Sequence, residues 1–193
     1  MGLRPCTAAI PPRLRDCTRW SLPGAIPMAG SDYEIALATR DDIAGMLDLQ
    51  EQNLRERGGA LSVRFTPEWF EAALGDMPVL VARKAGQVVG YLVSSSAAAQ
   101  RHVPIIAAML QAYPGAPDAY LYGPICIAQS ERGQDLAAAL MSALGARLPD
   151  REGITFIRRD NTRSMRAHAK IGMRQVAEFT HDDAAIVVVV YPG

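Results

Sequence analysis

The stretch "SERGQDLAAALMSALGARL" (residues 130–148) places an arginine and a glycine directly before a long segment with an apolar stripe. Four leucines recur every four residues in it: Leu136, Leu140, Leu144 and Leu148. Because positions four apart share one face of a helix, these leucines indicate a helix with one buried side. The pattern predicts that this helix begins near Gly133.

The residues in front of that helix are suited to hold an anion. The first turn of a helix presents backbone N–H groups without intrahelical partners, and the helix dipole is positive there. A phosphate is therefore a natural ligand of a glycine-led helix start, and Arg132 would add a full positive charge. The alternative on these residues alone is an ordinary turn through Arg132 and Gly133 into a core helix, with Asp135 as a first-turn acid.

A second stretch, "RRDNTRSMRAHAKIGMRQVAEF" (residues 158–179), also has the features of a helix after a short strand. Asn161 occupies a natural N-cap position, and Gly172 occupies a position suited to a left-handed C-cap. Asn161, Ser164 and His168 are three or four residues apart, so they share one helix face. Two polar groups and an imidazole on one inward face require partners.

The rest of the chain alternates strand-like and helix-like patterns. The predicted strands are residues 33–38, 79–83, 88–94, 120–128, 154–157, 175–180 and 185–191. The predicted helices are residues 43–49, 67–74, 105–112, 133–148 and 161–171. The "KAGQ" link between the second and third strands has the length and glycine content of a tight hairpin. This order predicts an α/β domain with a mixed sheet.

The first thirty residues differ in composition from the remainder of the chain. They are rich in proline and arginine, namely Pro5, Pro11, Pro12, Pro23, Pro27, Arg4, Arg13, Arg15 and Arg19. Proline at this density opposes both helix and sheet, so residues 1–30 are expected to form a tail without a catalytic role. A transit peptide is the alternative, but such peptides are usually amphipathic helices. We predict one folded domain over residues 31–193.

Composition argues against two kinds of partner. The chain has 20 Lys and Arg against 20 Asp and Glu, so it lacks the basic balance of a nucleic-acid binder. Even the valine-rich run "AAIVVVVY" (residues 184–191) is far shorter than the roughly 20 residues that cross a bilayer. We therefore expect neither a nucleic-acid partner nor a membrane partner.

The cysteines and histidines do not have the spacing of a metal site or a disulfide framework. The cysteines are Cys6, Cys17 and Cys126, and the histidines are His102, His168 and His181. We predict no bound metal. An odd number of unpaired cysteines is typical of a reducing compartment, so the expected location is cytoplasmic.

From about Tyr33 onward the chain resembles the GNAT superfamily, the acetyl-CoA-dependent N-acetyltransferases. The acyl-CoA loop of that family reads Arg/Gln-x-x-Gly-x-Gly/Ala. The sequence "RGQDLA" (residues 132–137) keeps the arginine and the final small residue, with Asp135 in place of the central glycine. The second family motif, an asparagine after a strand and a helix ending in Lys-Leu-Gly-Phe, is matched by Asn161 and "KIGM" (residues 170–173). Two motifs at family spacing are far more specific than either alone.

The resemblance implies a single mixed, mostly antiparallel sheet flanked by helices, with two splayed central strands. Pro124 in "YLYGPICIA" fits a bulged strand whose free edge binds the pantetheine arm of coenzyme A, although an irregular sheet edge is the alternative. Acetyl-CoA would be the co-substrate. The implied coenzyme A residues are Ile125, Cys126, Ile127, Arg132, Gly133, Gln134, Asp135, Leu136, Ala137, Asn161, Ser164 and His168.

The resemblance also implies direct attack of a neutral amine on the acetyl thioester. His168 stands where many family members have a tyrosine that protonates the leaving thiolate, which makes His168 the candidate general acid. A histidine packed in the cleft without a catalytic role is the alternative. Residues 120–128 contain no Asp, Glu or His, so the general base is unassigned.

The acceptor implied by the resemblance is a primary amine of a small molecule or a peptide, and a homodimer stays open. Arg163, Arg166 and Lys170 form a basic stripe that is either solvated surface or a contact for the 3′-phosphate of coenzyme A. Two other functions also stay open. One is a domain of the same fold that binds acyl-CoA without turnover, and the other is an unrelated phosphate-binding α/β module.

Overall fold

A computed structural model describes residues 26–27 and 32–192 of the protein. The strands are β1 (Ile26–Pro27), β2 (Tyr33–Leu37), β3 (Val79–Lys84), β4 (Gln87–Ser96), β5 (Tyr120–Ile127), β6 (Gly153–Arg158), β7 (Arg174–His181) and β8 (Ala184–Tyr191). The helices are α1 (Ile43–Asn53), α2 (Pro67–Asp76), α3 (Ala97–Gln100), α4 (Pro104–Ala112), α5 (Leu136–Gly145) and α6 (Thr162–Lys170).

The strands form one sheet in the order β1-β2-β3-β4-β5-β6-β8-β7. The β5–β6 pair is parallel, and the other neighbouring pairs are antiparallel. The predicted hairpin through "KAGQ" joins β3 to β4, with Lys84 opposite Gln87. The mixed, mostly antiparallel sheet with flanking helices confirms the predicted fold class.

Helices cover both faces of the sheet because side chains alternate along each strand. In β3, Leu80 and Ala82 pack into the cluster that includes the leucines of α5, whereas Val79 and Val81 pack on the opposite face with α1 and α2. Further along that opposite face, Met109 of α4 packs against β5, β6 and β8. The sheet is therefore the middle of three layers.

The β5 and β6 strands pair over a short distance and then separate. Their register consists of Tyr120 with Gly153 and Leu121 with Ile154. Beyond these residues β5 continues beside β4 and β6 continues beside β8. The β4–β5 register shifts opposite Gly123 and Pro124, so the proline, which lacks an N–H donor, lies in a bulge as predicted. The splayed central strands are thus present.

The start of α5 differs from the prediction. The helix begins at Leu136 and not near Gly133, because Gly133 (φ 84°) and Asp135 (φ 56°) both have left-handed backbone conformations. An α-helix cannot continue through such residues. Leu148 is buried although it follows the last helical residue, so the leucine stripe extends past the helix.

The expected N-terminal tail lies outside the described residues except for Ile26–Pro27. These two residues pair with β2 at the edge of the sheet, a position where proline is tolerated. The short helix α3 was not predicted; the Ser96 side chain caps its first turn by accepting from the Ala99 N–H. No helix within residues 26–27 and 32–192 combines the length and apolar character that a bilayer span requires.

The parallel segment of β5 and β6 depends on a close approach at Gly153. A Cβ atom at Gly153 would lie 2.7 Å from the ring of Tyr120, which is fully buried. We expect Gly153→Ala to lower the free energy of unfolding by about 1–3 kcal/mol, because the rigid ring has little room to move. The measurement is denaturant unfolding followed by circular dichroism.

Gly75→Ala is the matched control. Gly75 lies in α2 and has no atom within 4 Å of an added Cβ. Alanine there should leave stability unchanged or raise it by up to about 1 kcal/mol. An equal change in the free energy of unfolding in the two variants would contradict the proposed clash between the added Cβ at residue 153 and the Tyr120 ring.

Candidate active site

A cleft of about 560 Å³ lies between the start of α5, the face of α6 and the free part of β5. All of the expected coenzyme A residues line it except Cys126 and Gln134. The Cys126 side chain is buried on the opposite face of the sheet, beside α1 and α2. The Gln134 side chain is exposed and turns back to the Ser130 carbonyl and the Tyr33 hydroxyl. The two motifs distant in sequence therefore meet at one site.

The start of α5 opens into this cleft without a side-chain cap. Asp135 is the N-cap residue, but its side chain makes no capping hydrogen bond. Its carboxylate pairs instead with Nζ of Lys170 at the end of α6. The N–H groups of Leu136, Ala137 and Ala138 lie in the first turn, and all three residues line the cleft. These donors, together with the helix dipole, are the groups that we expect to bind an anion.

Arg132 supplies positive charge at the same place. Its guanidinium contacts neutral acceptors, with Nη2 2.9 Å from Oδ1 of Asn53 and Nε 3.3 Å from the Ile127 carbonyl oxygen. No ion pair with a carboxylate involves Arg132 or Arg163 within the part of the chain that is described. Burial, with a further contribution from Arg163, lowers the pKa of Arg132. Two cations thus face the cleft without a counter-ion.

Asn161 and Ser164 organise the start of α6. The Asn161 side chain accepts a hydrogen bond from the Ser164 N–H at 3.1 Å, so the predicted N-cap is confirmed. Gly172 has the left-handed conformation (φ 85°) expected after the helix. Both caps fix the length and direction of α6, and they set where His168 enters the cleft.

His168 is nearly buried, and its ring has a defined hydrogen bond. Nδ1 lies 2.7 Å from the carbonyl oxygen of Ser164, which can only accept, so Nδ1 carries a hydrogen. Burial lowers the pKa of His168, in part offset by this backbone hydrogen bond. The ring is therefore neutral near pH 7, and its Nε2 is a hydrogen-bond acceptor.

Tyr122 is a polar group of the cleft that the sequence did not single out. It follows the last β5–β6 pair, lines the cleft and lies 5.6 Å from the His168 ring between centroids. Its hydroxyl donates to Sδ of Met173 at 3.2 Å. Burial raises its pKa well above the usual value, so it stays a neutral donor. The sequence signal that could have identified Tyr122 is its position just before Gly123 and Pro124, where the strands were expected to separate.

Residues from the end of α1 and from the connector that follows it also line the cleft. Asn53, Gly58, Gly59 and Ala60 all line it. A Cβ atom at Gly59 would lie 1.9 Å from the Asn53 carbonyl oxygen, so the close approach requires glycine. The Gly58-Gly59 pair was visible in the sequence, but its contact with Asn53 depends on the fold.

The described residues contain no candidate metal site, in the cleft or elsewhere. Across residues 26–27 and 32–192, no group of three His, Cys, Asp or Glu side chains is placed to hold a metal ion.

Comparison with known proteins assigns the chain to a family. The model of the acetyltransferase (GNAT) family matches residues 43–173. The chain therefore belongs to the GNAT family of acetyltransferases, enzymes that transfer the acetyl group of acetyl-CoA. No curated protein sequence matches the chain significantly.

Solved structures share this fold at low sequence identity. An acetyltransferase from Salmonella typhimurium with its cofactor acetyl-CoA is 17% identical, with a TM-score of 0.62 over 84% of this chain and 94% of that chain. The ribosomal-protein-alanine N-acetyltransferase from Brucella melitensis is 20% identical, with a TM-score of 0.61 over 82% and 98%. The ribosomal-protein-S18-alanine N-acetyltransferase from Escherichia coli is 12% identical, with a TM-score of 0.60 over 83% and 93%.

Asp135 provides a test of the anion site. Its carboxylate pairs with Lys170, so only its backbone N–H is expected to face the anion. We expect Asp135→Asn and Asp135→Gly to bind coenzyme A as tightly as the wild type or about two- to threefold more tightly, because both remove a negative charge and both residues tolerate the left-handed conformation. Calorimetric titration measures this. A large loss of affinity in both variants would show that the carboxylate itself is needed.

Proposed function

We propose that this protein transfers the acetyl group of acetyl-CoA to a primary amine of a small molecule or a peptide. The observation that carries the proposal is the meeting of the uncapped α5 start with the parted β5 and β6 strands in one cleft. The first feature suits a diphosphate, and the second suits an extended arm that carries a thioester. We assign this activity to the domain over residues 31–193 and expect it in the cytoplasm.

The chemistry of the cleft fits the two ends of coenzyme A. The diphosphate would bind the N–H groups of the α5 start, with Arg132 and Arg163 as its counter-ions. The pantetheine amides would bond the edge of β5 that β6 leaves free, between Ile125 and Ile127. Cys126 would contribute only its backbone there, because its side chain is on the other face.

Direct transfer is favoured over an acetyl-cysteine intermediate. Burial raises the pKa of the Cys126 thiol to about 11, so the thiol is protonated at neutral pH. A protonated thiol is a poor nucleophile. The amine nitrogen would therefore attack the thioester carbonyl itself, forming the C–N bond, and the C–S bond would break as the tetrahedral intermediate collapses.

The attacking amine must be neutral, and an alkylamine with a pKa near 10.4 is only about one part in a few thousand neutral at pH 7. Alignment of amine and thioester in the cleft can supply about 7–11 kcal/mol of the barrier reduction. Backbone N–H groups near the β5 bulge would stabilise the oxyanion. Positioning therefore supplies most of the rate enhancement in this proposal.

His168 is the proposed proton carrier. Its neutral Nε2 can take the proton that the amine nitrogen loses after attack. The imidazolium then acts as the general acid and gives this proton to the leaving thiolate. The ring returns to its starting state, and the Nδ1 hydrogen bond to the Ser164 carbonyl keeps Nε2 directed into the cleft.

A domain that binds acyl-CoA without turnover is the alternative function. The observation in its favour is that β5 carries no Asp, Glu or His. Both functions require coenzyme A binding, and only the enzyme releases free coenzyme A when acetyl-CoA and a panel of small amines and peptides are supplied. Release of thiol without an acetylated product would also contradict the enzyme proposal.

Arg132 should matter for affinity and not for folding. We expect Arg132→Gln to weaken coenzyme A binding about tenfold or more, because a half-buried counter-ion of the diphosphate is lost. Arg40→Gln is the control, since Arg40 is exposed in a turn outside the cleft and its loss changes the net charge equally. Calorimetry measures both. Equal affinities of the two variants would exclude Arg132 from the anion site.

His168 should matter for turnover. We expect His168→Gln to lower kcat about a hundredfold with little change in the KM for acetyl-CoA, since a proton carrier is lost. In the wild type, kcat should fall as the pH drops below the lowered pKa of His168, because a protonated ring cannot accept. His102→Gln, at an exposed loop position, is the control. Near-normal kcat in His168→Gln would support a packing role instead.

A further inference from the structure

A buried carboxylate stands directly in front of the anion site. Glu131 precedes Arg132 in the chain and is among the residues that line the cleft. Its side chain is only 9% exposed. It accepts hydrogen bonds from the Tyr33 hydroxyl, from Nζ of Lys84 at 3.1 Å and from Oγ of Ser130 at 3.0 Å. A loop residue is thus bonded to β2 and β3.

This carboxylate is a negative charge in the wall of a cleft that also presents Arg132 and Arg163. The hydrogen bond from Tyr33 and the contact with Lys84 lower the pKa of Glu131, so the group stays ionised at neutral pH. Lys84 is the cation that pairs with it in the described structure. Without this cation, the carboxylate would oppose any diphosphate at the start of α5.

Tyr33 also holds the loop before α5 at a second residue, Gln134. The Tyr33 hydroxyl also lies 2.9 Å from Oε1 of Gln134, on the far side of Arg132 and Gly133. Nζ of Lys84 lies 5.3 Å from the centre of the Tyr33 ring. Lys84, at the end of β3, therefore contacts both the Glu131 carboxylate and the Tyr33 ring, which together anchor the loop to the sheet.

We propose that Lys84 is a positioning residue of the acetyl-CoA site, which acts through Glu131. It neutralises the Glu131 carboxylate and holds it against the sheet, so that the loop presents its N–H groups and Arg132 to the diphosphate. This inference rests on the proposed function, because it concerns the binding of the same co-substrate.

The ion pair of Lys84 and Glu131 links the effects of single and double variants. Removing Lys84 leaves the charge of the buried Glu131 carboxylate uncompensated, whereas replacing both partners leaves no charge. Lys84→Met should therefore weaken coenzyme A binding, and Lys84→Met combined with Glu131→Gln should bind more tightly than Lys84→Met alone. The glutamine can still accept from the Tyr33 hydroxyl. A purely structural role for Lys84 would not produce this recovery.

The experiment is calorimetric titration of the full chain with coenzyme A and with 3′-dephospho-coenzyme A, which keeps the diphosphate. We expect Lys84→Met to lower the affinity for both ligands by the same factor, about tenfold. The affinity of the double variant should return to within about threefold of the wild type. Lys84→Arg should keep most of the affinity, because it keeps the positive charge. Arg40→Met, which removes an exposed positive charge outside the cleft, should bind as the wild type does.

The role of Lys84 is overturned if Lys84→Met binds coenzyme A within twofold of the wild type, or if the double variant binds as weakly as Lys84→Met. It is also overturned if the loss of affinity appears with coenzyme A but not with 3′-dephospho-coenzyme A. Circular dichroism and the thermal midpoint verify folding, and Lys84→Gln replaces Lys84→Met if the latter unfolds. If the wild type itself fails to bind coenzyme A, the proposed function fails and the inference fails with it.

Discussion

The separation of β5 and β6 is the constraint on which the site depends. The two strands are parallel neighbours for only two residue pairs, and each then follows its other neighbour. Hydrogen-bonding groups on the inner edge of β5 are left without a strand partner in the middle of the sheet. Such an opening is costly in a protein core unless something else occupies it. In the proposed function, the amide groups of an extended ligand would take the place of the missing strand.

The helix that starts beside this opening supplies the other half of the site. α5 packs its leucines on the sheet, and this packing fixes the position of its first turn. The loop before it is tied to the sheet by Tyr33 and to the end of α1 by the Arg132–Asn53 hydrogen bond. An anion site made largely of backbone groups has little side-chain freedom to lose on binding, so its affinity depends on how firmly these neighbours hold the loop.

Local patterns in the sequence predicted most of the elements, because hydrophobic period, caps and turn residues act over a few positions. The hairpin at "KAGQ" and the caps of α6 were predicted in this way, whereas the bulge at Pro124 was implied by the family resemblance. The start of α5 was predicted too early, since the sequence alone does not show that Gly133 and Asp135 adopt left-handed conformations. Asn53 and Lys84 could not be assigned to the site, because their contacts join segments far apart in sequence and exist only after the sheet has formed.

The conformation of Asp135 has a consequence for how the family motif is interpreted. In the motif this position is glycine, and here an aspartate adopts a left-handed backbone with φ 56° while its carboxylate turns away to Lys170. Aspartate and asparagine reach this region more readily than other residues with a side chain. In this chain the loop thus keeps the left-handed backbone at this position without a glycine. Searches that demand glycine there will pass over chains whose loops are built in the same way.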